Sequence, residues 1–288
     1  MPVFTGYSML KKAEVFPTNG QKTNTNIYVM RHAERVDNLF ENWISNCSSA
    51  DGKYVRYDSN MPISLPKREG SIESFRFDSP LTNIGAFESS LIGESLALAG
   101  VNIRHAYSSP ALRCVQTCHN VFRGAGINDV SIKIEPGLFE WVSLYAGIYP
   151  SFMTQEELVN AGFFINKNYQ PLYSYDLLKT LLDETSEQYY QRGYDVVNKI
   201  LKEVSENGGG DILLLGHGST LDICSRQLIG SKPRDGDVIG RLLYEVPYCG
   251  MIKLQQLNNQ WKIVDNDVPG ISHSSNKGFD YNILHNFY

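Results

Sequence analysis

A chain of 288 residues that is 42% hydrophobic can bury a large core, yet no stretch approaches the roughly twenty consecutive apolar residues of a membrane span. Its net charge of -5 and pI near 5.7 argue against general affinity for nucleic acid or anionic membranes, so any anion site must be local. Five cysteines, Cys47, Cys114, Cys118, Cys224 and Cys249, include no CxxC pair, which points to buried reduced thiols rather than a disulfide framework or zinc site.

Residues 1–26 read as a loosely held extension, too polar and lysine-dotted for a signal peptide, so the cytoplasm is the expected compartment. Residues 27–288 read as one domain. The run Ile27-Tyr28-Val29-Met30 suits a strand covered on both faces, and it ends in Arg31-His32-Ala33-Glu34-Arg35. Ligands of open α/β sheets gather at the carboxyl ends of strands, and fork-shaped guanidiniums beside a histidine suit phosphate. The alternative is an exposed turn, and this stretch alone does not decide between them. The long proline-containing segment at about 45–80 is expected to form a wall over a site. Within it, Lys67 and Arg68 read as a solvated charge pair.

Thr82 caps a helix reaching about Ala99, with Ile84, Phe87, Leu91, Ile92, Leu96 and Leu98 as its apolar stripe. A second strand over 103–107 leads to a helix start with Ser109 as N-cap and Pro110 at the first helical position. That places Arg113 beside the first turn, where backbone N–H groups also attract anions. A third strand over 132–135 precedes Glu140, which lies between Phe139 and Trp141. An apolar neighbourhood would raise its pKa and make it a candidate general acid; an ordinary surface glutamate fits the same pattern.

Thr154 with Glu157 and Thr185 with Gln188 fit capping boxes, the second opening an amphipathic helix that ends at Gly208-Gly209-Gly210. Asp211–Gly216 repeats the first design, an apolar strand delivering His217, with a helix over about 221–228 behind it. Asp235-Gly236-Asp237 reads as a turn. Residues 251–257 and 261–264 form a hairpin around Asn258-Asn259.

Arg31, His32, Arg35, Arg113 and His217 thus fall at strand ends that a parallel sheet aligns along one edge. A phosphoryl group in transfer spreads charge over three oxygens, so positioning and positive charge carry most of the catalysis. An imidazole can attack phosphorus to form a phosphohistidine, and a protonated carboxyl can supply the leaving oxygen with its proton. These residues meet the charge demand without a metal or other cofactor. No Cys is followed six residues later by Arg, and neither a Walker A loop nor a GxGxxG fingerprint occurs, which excludes those phosphate chemistries.

Arg31-His32-Ala33-Glu34 resembles the RHG signature of the histidine phosphatase superfamily, which includes phosphoglycerate mutases. RHAERVD at 31–37, SPALRCVQT at 109–117 and EPGLFEW at 135–141 resemble one branch, the phosphatase domains of suppressor of T-cell receptor signalling proteins and ecdysteroid-phosphate phosphatases. The resemblance implies an α/β three-layer sandwich, with a mostly parallel central sheet and helices on both faces. It implies His32 as nucleophile, Arg31, Arg35, Arg113 and His217 as phosphate pocket, Glu140 as proton donor, no metal, and a homodimer. The expected activity is a metal-independent phosphomonoesterase acting on phosphotyrosyl proteins or hydrophobic, steroid-like phosphates, between aromatic walls at Tyr54, Phe75, Trp141 and Tyr145. A phosphomutase or sugar bisphosphatase, and a catalytically silent phosphate-binding or interaction module, remain as other readings. Ala33 stands where the signature has Gly, which is harmless at negative φ and strained at positive φ.

Overall fold

Two apolar runs form the middle of the sheet: β1 (Asn26–Arg31) and β4 (Asp211–Gly216), parallel neighbours whose central residues are all buried. The computed structural model describes residues 25–49, 52–145, 147–272 and Leu284, so most of the expected N-terminal extension lies outside the described residues. Strand β2 (Ile103–Ser108) runs parallel to β4, and β3 (Ile132–Ile134) parallel to β2. On the other side β5 (Met251–Leu257) pairs antiparallel with β1, and β6 (Gln260–Val264) returns from it through Asn258 and Asn259, both at positive φ as a tight hairpin turn requires. The spatial order is β3-β2-β4-β1-β5-β6.

In chain order the helices are α1 (Val36–Leu39), α2 (Trp43–Asn46), α3 (Asn83–Leu98), α4 (Leu112–Ala125), α5 (Gln155–Asn160), α6 (Tyr175–Lys179), α7 (Ser186–Glu206), α8 (Thr220–Ile223) and α9 (Gly236–Glu245). Alternate strand residues face opposite layers. Met30, Ala106, Leu213 and Leu215 pack with Ile92, Val115 and Val121 of α3 and α4. Val29, Ile212 and Leu214 pack instead with Val196, Val197, Ile200 and Val204 of α7. The chain is therefore the expected three-layer α/β sandwich. Both capping boxes form, at Thr154 and Thr185. Among the described residues no helix is long and apolar enough to cross a membrane.

Several local expectations change. Of the apolar stripe proposed for α3, Ile84, Phe87 and Leu98 are exposed, whereas Gly85, Glu88, Ser89, Ile92, Gly93 and Leu96 are buried. Close packing decides this: a Cβ on Gly93 would lie 2.0 Å from the Val121 carbonyl oxygen, and one on Gly124 1.9 Å from that of Ser90. The glycines let α3 and α4 touch backbone to backbone. Helix α4 starts at Leu112, with Ala111 rather than Ser109 as N-cap, because buried Asp78 accepts a 2.7 Å hydrogen bond from the Leu112 N–H. Arg68 is not solvated either, since its guanidinium donates to Asp78 at 2.9 Å with its side chain buried. Asp235 opens α9 instead of forming a turn, and the helix after His217 is confined to α8. Ala33 raises no conformational problem: positive φ at a non-glycine residue occurs, among the described residues, at Asn42, Cys249, Asn258 and Asn259.

Candidate active site

Sheet register brings the chemistry together. Arg31 is the partner of Gly216 and Ser108 of Leu215, so His32 and His217 leave adjacent strands at the same level, with Ser109 one residue behind them on the next strand. The backbone continues this alignment: His32 N–H donates to the Gly216 carbonyl at 2.9 Å, and Ser109 N–H to that of Leu215 at 2.9 Å. The His32 carbonyl accepts from Cys249 N–H at 3.3 Å, which ties the nucleophile candidate to the turn before β5. The two imidazoles meet edge to face with centroids 5.5 Å apart, and both are buried.

His32 Nδ1 lies 2.8 Å from the Ala33 carbonyl oxygen. A carbonyl only accepts, so Nδ1 carries the proton and Nε2 keeps its lone pair. Burial, reinforced by the charges of Arg113 and Arg31, holds the His32 pKa well below the ordinary histidine value; burial and Arg113 do the same to His217. Both rings are therefore neutral near pH 7.

Three arginines supply the positive charge. Arg113 is fully buried in the first turn of α4 and donates through Nη2 to Glu140 Oε1 and, at 3.1 Å, to His217 Nδ1. Burial opposes its charge, and Glu140 and Tyr145 more than offset this, so its pKa moves up. Arg31 packs 4.6 Å over the Tyr248 ring and donates to the Val246 carbonyl. Arg35 is held by both carboxylate oxygens of Asp37. Arg31 Nε and Arg113 Nε and Nη1 are buried without a hydrogen-bond partner. Desolvated donors of this kind are costly unless an acceptor meets them.

Glu140 does not sit among apolar groups alone: its Oε1 accepts from Arg113 and, at 2.5 Å, from the Tyr145 hydroxyl, and lies 3.6 Å from His217 Nδ1. All six residues singled out in the sequence thus meet at one place. Arg31, His32, Arg35 and Glu140 line a cavity of about 320 Å³. Its outer wall differs from the expected one. Leu243, Tyr244, Val246, Pro247 and Tyr248, from the end of α9 and the turn into β5, form it, whereas neither Trp141, Tyr145 nor any described residue of 45–80 lines it. Trp141 stacks on Tyr189, and Phe75 is buried under Arg68. Among the described residues no group of three or more His, Cys, Asp or Glu side chains is placed to hold a metal ion.

Sequence reasoning missed Ser109 as a partner of His217, Asp37 as the partner of Arg35, and Tyr248. Ser109 was misread because Ser-Pro is a strong helix-start signal. Tyr248 carries no local signal; it reaches the site only because β5 pairs with β1.

The profile of the histidine phosphatase superfamily (branch 1) matches residues 67–267. This chain belongs to the histidine phosphatase superfamily. Its relatives include the ecdysteroid-phosphate phosphatase of Drosophila melanogaster, 40% identical over 262 residues, covering 91% of this chain and 34% of that protein. The human ubiquitin-associated and SH3 domain-containing protein B is 34% identical over 260 residues, covering 88% of this chain and 40% of the relative. The chain spans between a third and two fifths of the length of these superfamily relatives. Among solved structures, the ecdysone phosphate phosphatase of Bombyx mori in complex with tungstate superposes with a TM-score of 0.78 at 34% identity, covering 90% of this chain and 99% of that one.

Proposed function

We propose that this chain is a phosphoric monoester hydrolase that works through a phosphohistidine on Nε2 of His32. The observation that carries the reading is the pairing of a neutral His32, whose Nε2 lone pair is free, with buried donors of Arg31 and Arg113 that lack an acceptor. A phosphate group supplies those acceptors. In the first step the Nε2 lone pair attacks phosphorus, the ester P–O bond breaks, and the Glu140 carboxyl gives its proton to the leaving oxygen. In the second, water attacks the phosphohistidine, its proton passes to Glu140, and the P–N bond breaks to release phosphate. Arg31, Arg35 and Arg113 hold the equatorial oxygens throughout, without a metal, and neutral His217 accepts from Arg113 through Nδ1 and keeps that guanidinium in place.

The wall made by Leu243, Tyr244, Pro247 and Tyr248 supports an aryl or hydrophobic-alcohol phosphate, either a phosphotyrosyl side chain or a steroid-like ester. The tungstate in the Bombyx mori structure supports an oxyanion site, because tungstate is a tetrahedral oxyanion like phosphate. A second copy of the chain as partner, and action in the cytoplasm on phosphorylated small molecules or phosphotyrosyl proteins, belong to the same reading.

Rapid quenching during turnover of phenyl phosphate tests it. The expected result is a phosphoenzyme stable to base and labile to acid, absent from His32→Ala. Label on a serine or cysteine in an active preparation overturns it.

A further inference from the structure

Glu140 lies in an irregular stretch, between the short turns Pro136–Leu138 and Val142–Tyr145, so no helix or strand fixes its backbone. Something else must satisfy those peptide groups and set where the carboxyl points. That something is Arg192, on the buried face of α7, 1% exposed. Its Nη1 donates to the carbonyls of Gly137 and Phe139, each at 2.8 Å, and its Nη2 to that of Glu140 itself at 3.4 Å. The remaining N–H groups form a two-pronged pair with buried Glu184, Nε to Oε1 and Nη2 to Oε2, both at 2.8 Å. All five N–H groups of the guanidinium are thus engaged, three of them on the stretch that carries Glu140.

Glu184 holds the other side of the same stretch. Its backbone carbonyl accepts from Trp141 Nε1 and from Ser143 Oγ, each at 2.7 Å. The rings agree with the polar contacts: Trp141 stacks on Tyr189 with planes 4° apart, and the Arg192 guanidinium lies 4.7 Å over the opposite partner of that stack, the Tyr189 ring. Residues 137–143 are therefore gripped by one arginine and one glutamate, on backbone carbonyls before and at Glu140 and on the side chains of Trp141 and Ser143 after it.

We infer that Arg192 and Glu184 are positioning residues, a clamp on the stretch 137–143 that aims the Glu140 carboxyl at the leaving-group oxygen. The inference rests on Glu140 being the proton donor. A buried ion pair that served stability alone would have no reason to spend three of its donors on this one irregular stretch, and isolated buried pairs are in any case weak sources of stability. Misplacing a reacting group by about 1 Å can cost about a hundredfold in rate, so a clamp of this kind acts on kcat/KM without touching substrate.

The measurement is kcat/KM for two esters of similar size, benzyl phosphate and p-nitrophenyl phosphate. When the P–O bond breaks, the electron pair stays on the leaving oxygen; a benzyl alkoxide needs the Glu140 proton, whereas p-nitrophenolate departs without it. General acids contribute about 10²- to 10⁴-fold, so Arg192→Lys, which keeps the charge but not the fork, is expected to lose about 30-fold on benzyl phosphate and less than about threefold on p-nitrophenyl phosphate. Circular dichroism and thermal melting check folding. Glu184→Gln, which keeps the side-chain shape, carries the same expectation at smaller size and decides the matter where Arg192→Lys does not fold. Glu140→Gln sets the reference. Should it show no difference between the esters, the assignment of the proton donor fails; should it show the difference while folded clamp variants lose both esters equally, the clamp is overturned and the donor stands.

Discussion

Ser109 Oγ lies 2.8 Å from Nε2 of His217, while the Arg113 guanidinium lies 3.1 Å from Nδ1 of the same ring. Arginine only donates, so Nδ1 accepts and the ring proton sits on Nε2, bonded to the serine. Two neighbours, Ser109 on the β2–α4 connection and Arg113 in the first turn of α4, thus choose the tautomer of a histidine that arrives from β4. Removing the hydroxyl frees the ring to rotate. Ser109→Ala is expected to keep the fold, to lose about 1 kcal/mol of stability for one buried hydrogen bond, and to lower kcat/KM about tenfold for every ester alike. Steady-state kinetics beside a urea melt reads both.

Stability should depend on pH through the same pair. His32 and His217 have folded pKa values well below the unfolded value of about 6.5, through burial first and the arginine charges next. Below that value the unfolded chain binds protons that the folded chain refuses, so stability is fully present above about pH 6.5 and falls as pH drops. The slope reaches about 1.4 kcal/mol per pH unit for each histidine. Urea midpoints between about pH 5 and 7.5 measure it. On the proposed reading, tungstate would bring negative charge beside both rings and raise their pKa values, and it is expected to flatten the slope.

Tyr244 is 90% exposed at the mouth of the cavity, an unusual place for a bare aromatic ring. Its contact with a hydrophobic leaving group is worth about 1 kcal/mol at ordinary apolar area, so Tyr244→Ala should raise KM about fivefold for a steroid phosphate or phosphotyrosyl peptide. For glycerol phosphate KM should not move. Equal changes on both would remove this residue from the account of substrate class.

Asp78 carries the start of α4, and with it Arg113, by accepting from Leu112 N–H and from Arg68. Asp78→Ala leaves a buried guanidinium without its partner, which costs about 3 kcal/mol or more. Denaturant melts test the figure, and activity should fall with it, because the first turn of α4 loses its anchor.

How much of this was legible depends on where the determinant lies. The strand ends carrying His32 and His217 were legible because an unbroken apolar run followed by a reactive group is a local pattern. Arg113 was legible by spacing from Ser-Pro, although the helix begins later than that signal says, since the group that caps it is Asp78, far away in sequence. The buried face of α3 was misjudged for a related reason: a glycine against a backbone carbonyl buries more effectively than a leucine, and hydropathy does not register it. The cavity wall belongs to Tyr244 and Tyr248 because an antiparallel strand, β5, joins β1, and strand order is not written in any one segment. Arg192 and Glu184 carry no local signal, because the carbonyls that Arg192 meets belong to a stretch far away in sequence.

The interlocked glycines of α3 and α4 act as a ruler. With Gly93 against Val121 and Gly124 against Ser90, the spacing between the two helices is set by backbone alone and cannot be adjusted by rotamers. Arg113 stands at the far end of α4, so its depth in the candidate phosphate site is a length measured from this contact. A methyl group added at Gly93 would push on α4 from the end opposite the chemistry, and its first visible effect would be a weaker hold on oxyanions.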